Sequence, residues 1–129
     1  MNVDAAHDWV WTLEATPEAV AFARQLIRRT LSAEHVAPAR VDDAVLLTSE
    51  VVANATLHGR GPMTVRATKD GRGWTIAVAD TSVALPKMQA HSLDALGGRG
   101  LQILDAVADA WGVVPSGPHG KIVWFRLSS

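Results

Sequence analysis

Two hydrophobic periods alternate along the chain, and the places where one gives way to the other mark its elements. Trp9, Trp11 and Leu13 recur at every second residue in the aromatic and β-branched run Trp9-Val10-Trp11-Thr12-Leu13-Glu14, which predicts a strand. Thr16-Pro17-Glu18 then offers an N-cap, a proline at the first helical position and an acid in the first turn, so a helix is expected to run to about Leu31. Val20, Ala23 or Arg24, Ile27 and Leu31 give it an apolar face. Arg24, Arg28 and Arg29 give it a basic one, either solvated or turned to a partner. Past the linker 32–37 a second helix begins near Pro38, with Asp42 and Asp43 in its early turns favouring the dipole, and Gly59-Arg60-Gly61-Pro62 stops it.

The second half is built from hairpins. Residues 63–69 and 74–80 are β-type runs around the short turn Asp70-Gly71-Arg72-Gly73, and 111–115 and 121–127 form another pair around 116–120. Between them, 81–97 shows no sustained period, and a loop of that length in a compact domain suggests a functional segment, here a mobile lid. Gly97-Gly98-Arg99-Gly100 leads from it into a helical pattern over 101–110. Helices set among antiparallel hairpins predict a single α+β domain over 1–129, a two-layer sandwich rather than a doubly wound parallel sheet, with 1–7 flexible.

The second helix carries the candidate chemistry. From Leu46 to His58 apolar residues fall on nearly every face and neither Gly nor Pro interrupts, so the helix is expected to be mostly buried, with a core face of Val41, Ala44, Val45, Thr48, Val52 and Ala55. Against that background Glu50, Asn54 and His58 stand out. Their i, i+4, i+8 spacing stacks them on one stripe, which Leu47 extends upstream. A buried carboxylate and carboxamide need hydrogen bonds, a cation or a polar cavity. Glu50 and Asn54 could instead bridge neighbouring elements, and His58 could simply favour the helix C-terminus. The five tryptophans all lie in or beside predicted strands and are expected to pack the sheet.

Composition narrows the function further. The 129 residues carry 12 Lys+Arg against 13 Asp+Glu, a formal net charge of -1, so nothing marks an electrostatic footprint for nucleic acid. There is no cysteine, no apolar run of membrane-spanning length and no signal-peptide pattern, which places the expected protein in the cytoplasm. Neither the P-loop nor the Rossmann glycine pattern is present.

As an ordered set these residues resemble the GHKL ATP-binding superfamily. The set is Glu50-x-x-x-Asn54-x-x-x-His58 on a helix, Asp80 closing a strand before a lid, Gly98-Arg99-Gly100-Leu101 opening a helix, and a last strand Gly120-Lys121-Ile122-Val123-Trp124-Phe125. Within the superfamily the chain is most similar to the stand-alone anti-sigma-factor serine kinases of actinobacterial type, over about residues 12–127. The resemblance implies a Bergerat-type fold, a mixed, mostly antiparallel sheet with helices on one face. It also implies ATP and Mg²⁺ as cofactors, Asn54 as metal ligand, Glu50 as catalytic base toward a serine or threonine hydroxyl, and Asp80 as acceptor for the adenine amino group. Gly98, Gly100 and Leu101 would bring backbone N–H groups to the phosphates, with Arg99 beside them and His58 near the same pocket. The implied partners are a sigma factor and an anti-sigma antagonist protein, with no direct nucleic acid and no membrane. A homodimer is implied as well, for which an edge strand near the N-terminus is a candidate surface. In two places the chain departs from the family pattern. Asp80-Thr81-Ser82-Val83-Ala84 lacks the family's glycines, and Ile122 stands where a threonine often supports the adenine contact. Those departures leave open a second function, a non-catalytic partner-binding module that kept the fold.

Overall fold

The computed structural model describes residues 7–58, 61–80, 100–115 and 120–128. Among them the elements follow as β1 (His7–Leu13), α1 (Glu18–Ala33), α2 (Pro38–His58), β2 (Met63–Asp70), β3 (Gly73–Asp80), α3 (Gly100–Val107), β4 (Ala110–Pro115) and β5 (Lys121–Ser128). His7, expected in a flexible N-terminal segment, instead opens β1 opposite Lys69. The lid expected over 81–97 lies outside the described residues.

The strands form one sheet in the order β1-β2-β3-β5-β4, antiparallel at every pairing. The expected mixed sheet is therefore corrected, and the connections explain why. Two helices, not one, separate β1 from β2, so the chain's direction is reversed once more than in a parallel crossover. Strands β3 and β4, which do run the same way with α3 between them, are kept apart by β5.

Alternation along the strands puts one face of the sheet in the core. Met63, Val65 and Ala67 of β2, Trp74, Ile76 and Val78 of β3, and Val123, Phe125 and Leu127 of β5 are buried there. Trp9 stacks on Trp74 with ring centroids 5.3 Å apart, reaching across the small side chain of Ala67, the cross-strand neighbour of Trp9. The opposite face carries the polar ties Arg66 to Asp8 at 3.0 Å and Thr68 to Asp8 at 2.6 Å. On that face Trp124 covers Gly112, where a Cβ would lie 2.8 Å from the indole Nε1.

Helix α1 buries Ala19, Ala23, Ile27 and Leu31, an i, i+4 stripe that selects Ala23 over Arg24 for the core. Its start keeps the expected proline but lacks a side-chain cap. Pro17 has helical dihedrals, as a proline at the first helical position should, but no side-chain cap bond forms; the Thr16 carbonyl accepts from Ala19 N–H at 3.0 Å instead. Its end is a Schellman motif, with His35 N–H on Ser32 O at 3.0 Å, Val36 N–H on Leu31 O at 3.1 Å, and His35 at φ 64 in the left-handed region usually given to glycine. Helix α2 starts with Pro38 at the first position after Ala37, whose carbonyl accepts from Val41 N–H at 3.0 Å. No acid lies in its first turn. Asp42 and Asp43 bond side chains instead, Asp42 to Arg28 of α1 at 3.0 Å and Asp43 to Arg40 at 3.3 Å.

Candidate functional site

Helix α2 packs on α1 and on β3, β5 and α3, which buries its core-facing residues and leaves the rest partly or fully exposed. All six residues expected on its core face are buried, together with Leu47, Val51 and Asn54, whereas Leu46 and Leu57 are exposed. On the polar stripe Glu50 is half-buried, Asn54 is 3% exposed, and His58 is the last residue of the helix.

Asn54 is the anomaly of this helix. Neither its Oδ1 nor its Nδ2 has a hydrogen-bond partner among the described residues. A buried amide left without partners costs on the order of 1–3 kcal/mol, and such a group in a core helix calls for an explanation. A second orphan, the hydroxyl of Thr48, lies on the core face of the helix, where Ala44, Val45 and Val52 are buried too. The two halves of the Asn54 amide suit a polar ligand. Oδ1 can coordinate a hard cation or accept from its waters, and Nδ2 can donate to a phosphate oxygen. Among the described residues no group of three or more His, Cys, Asp and Glu could hold a metal by itself. A Mg²⁺ ion that shares its coordination between one protein oxygen, phosphates and water fits that donor set.

Asp80 ends β3 on the core-facing register, after Trp74, Ile76 and Val78, and is 7% exposed. Its cross-strand partner in the ladder is Lys121, the first residue of β5. Lys121 is fully buried, and its Nζ donates to Asp80 Oδ2 at 2.6 Å. Sequence reasoning missed Lys121 and weighed Ile122 instead. Ile122 pairs with Ala79 and shares the outer face with Trp124 and Arg126, so position 121 is the one that meets Asp80. The signal was present: Lys121, Val123, Phe125 and Leu127 form a period-2 core run whose first member is charged, just as Asp80 is the charged last member of its own run.

Gly100 and Leu101 open α3, as the glycine run led one to expect, and Gly98 and Arg99 lie outside the described residues. The basic residues of α1 are exposed, and Arg28 is tied to Asp42. Among the described residues no helix is long and apolar enough to cross a membrane.

Residues 13–127 match the family described as the histidine kinase-like ATPase domain. Of the 12 solved chains that match, one belongs to the SiaB–SiaC complex from Pseudomonas aeruginosa, with a TM-score of 0.63 and 16% identity, covering 94% of this chain and 89% of that one. No curated protein matches the sequence.

Proposed function

The chain belongs to the histidine kinase-like ATPase domain family, whose model spans residues 13–127, and from that membership we propose an ATP-binding anti-sigma regulatory factor with serine/threonine kinase activity toward an antagonist protein. The observation that carries this proposal is Asn54, a buried amide with neither atom partnered among the described residues, on the helix that also bears Glu50.

The roles are those that the family resemblance implies for these positions. Asn54 would hold Mg²⁺ through Oδ1, and the ion, when bound, supplies charge neutralisation for phosphoryl transfer. Glu50, one turn earlier on the same stripe and half-buried, would orient the acceptor hydroxyl and take its proton. Asp80 would accept from the exocyclic amino group of adenine. Backbone N–H groups of Gly98, Gly100 and Leu101 would meet the phosphates where α3 begins, a terminus whose free N–H groups and dipole favour anions, with Arg99 pairing alongside. His58 would close the stripe at the end of α2, and 81–97 would form the lid. The partners would be a sigma factor and an anti-sigma antagonist protein, in the cytoplasm. The SiaB–SiaC complex supports a protein-partner role, since the similar fold there was solved bound to another protein. The outer edge of β1 offers a surface for a homodimer.

Titration calorimetry of Mg-ATP into the wild type and Asn54→Ala tests the nucleotide site. Binding by the wild type and a loss of most affinity in the variant are expected; equal binding by both would remove Asn54 from the site. Phosphate transfer to serine or threonine of a candidate antagonist, lost in Glu50→Gln, tests the activity. A second function, a partner-switching module without catalysis, is favoured by the departures from the family pattern at Thr81-Ser82 and Ile122. Intact partner binding with no ATP binding at millimolar nucleotide would select it.

A further inference from the structure

The Asp80–Lys121 pair is placed where stability alone does not require it. Both residues stand on the core face of the sheet, with side chains 4% and 1% exposed. Desolvating two charges is expensive, and well-packed apolar residues of similar volume often serve a fold equally well or better. A lysine ammonium carries three donors. Among the described residues Lys121 Nζ spends one, on Asp80 Oδ2. A buried cation with donors to spare is suited to accept a ligand's lone pair.

We propose that Lys121 is a base-reading residue of the nucleotide site, donating to the ring nitrogen N1 of adenine while Asp80 accepts from the neighbouring exocyclic amino group. The proposal rests on the nucleotide site put forward above and assigns to it a residue and a specificity. A donor and an acceptor side by side at hydrogen-bond distance are the complement of adenine's Watson–Crick edge, which presents an N–H donor next to an acceptor nitrogen. The pair is already assembled before any base arrives, because β3 and β5 hold positions 80 and 121 opposite each other. Preassembly removes the cost of ordering a flexible lysine on binding. It also means that a base lacking the acceptor nitrogen would leave a buried ammonium donor unpaired, and that is how a polar site rejects an analogue.

The test is calorimetric binding of Mg-ATP, of 1-deaza-ATP, in which a C–H replaces N1, and of purine riboside triphosphate, which lacks the amino group. All three are titrated into the wild type and into Lys121→Met, whose folding is checked by circular dichroism. The wild type is expected to bind 1-deaza-ATP about tenfold or more weakly than ATP, the worth of one hydrogen bond to a charged group. Lys121→Met is expected to bind those two alike while still discriminating against purine riboside triphosphate. Equal binding of ATP and 1-deaza-ATP by the wild type overturns the assignment, as does tighter ATP binding by Lys121→Met, which would make the lysine a competitor for Asp80. If Lys121→Met does not fold, the wild-type comparison decides alone. No ATP binding by the wild type overturns the nucleotide site and this assignment with it, an outcome distinct from binding without discrimination.

Discussion

Lys121 Nζ lies 2.6 Å from Asp80 Oδ2 at the point where the β3–β5 ladder enters the core, and neither side chain is more than 4% exposed. Removing Asp80 strands the buried Lys121 charge, and removing Lys121 takes the buried counter-charge away from Asp80. Asp80→Leu and Lys121→Met are each expected to lower stability by about 3–5 kcal/mol. The double substitution is expected to recover most of that loss, because two apolar side chains replace two charges that no longer need each other. Urea unfolding of the four proteins checks the cycle; equal costs that simply add would show that the pair is not coupled.

The orphaned polar groups of α2 predict a contrast between fold and function. Thr48→Val exchanges a buried hydroxyl without a partner among the described residues for a methyl and is expected to raise stability by about 1 kcal/mol. Asn54→Leu is expected to raise ligand-free stability by a similar ~1 kcal/mol, yet to abolish the upward shift in melting temperature expected of the wild type with Mg-ATP. A melting series with and without Mg-ATP separates the two sites. A large loss of ligand-free stability in Asn54→Leu would mean that the amide holds the fold together.

His35 is the one non-glycine at positive φ among the described residues, at 64. It is held there by the Schellman bonds that close α1 and by Val36, which packs against the core. A side chain costs roughly 1 kcal/mol in this region, part of which glycine gives back through its freer unfolded chain. His35→Gly is therefore expected to stabilise by about 0.5 kcal/mol, and His35→Val to destabilise, as thermal unfolding would show.

Asp70 sets a pH dependence. Its carboxylate takes two guanidinium bonds from Arg126, at 3.0 and 3.1 Å, and the backbone N–H groups of Arg72 and Gly73 in the β2–β3 turn. The Arg126 bonds foremost, then the turn N–H of Arg72, hold its pKa down to about 2, below the ordinary 3.8. Because the folded value is the lower one, the stabilisation is fully present above the unfolded value and is lost as pH falls from there toward 2. In urea midpoints measured between pH 5 and pH 2.5, Asp70→Asn is expected to show a shallower fall than the wild type. Parallel curves would remove Asp70 from the acid response.

Period and punctuation made most of the fold legible. The i, i+4 stripe of α1, the wide apolar wrap of α2 and the two hairpins all follow from side-chain spacing, and spacing survives folding unchanged. Sheet order did not follow. That β5 inserts between β3 and β4 depends on which edge the last strand finds, and no local signal states it. At the start of α1 the proline was readable but the cap bond was not: Pro17 takes the helical dihedrals expected of it, while no side-chain cap bond forms and the backbone carbonyl of Thr16 accepts from Ala19 N–H instead. In the candidate site the positions of Glu50 and Asn54 on one helix were readable, and the near-complete burial of Asn54 needed only the apolar surroundings to infer. The pairing of Asp80 with Lys121 required the register of two strands far apart in sequence. Ile122, one residue along, lies on the other face, since a shift of one position changes the face of the sheet.

The register of β1 bears on the order in which the molecule assembles. His7 meets Lys69 and Leu13 meets Met63, so this strand can join the sheet only once α1 and α2 have been threaded between it and β2, while β2 and β3 close on a two-residue turn. Closing the longer loop costs more chain entropy and returns its contacts later. The first strand in the chain is thus expected to be the last to dock, over a four-stranded sheet supplied by the C-terminal half. Native-state hydrogen exchange would show it as amides in β1 opening at lower free energy than those in β3 and β5. Equal protection across the sheet would mean that all five strands come and go together.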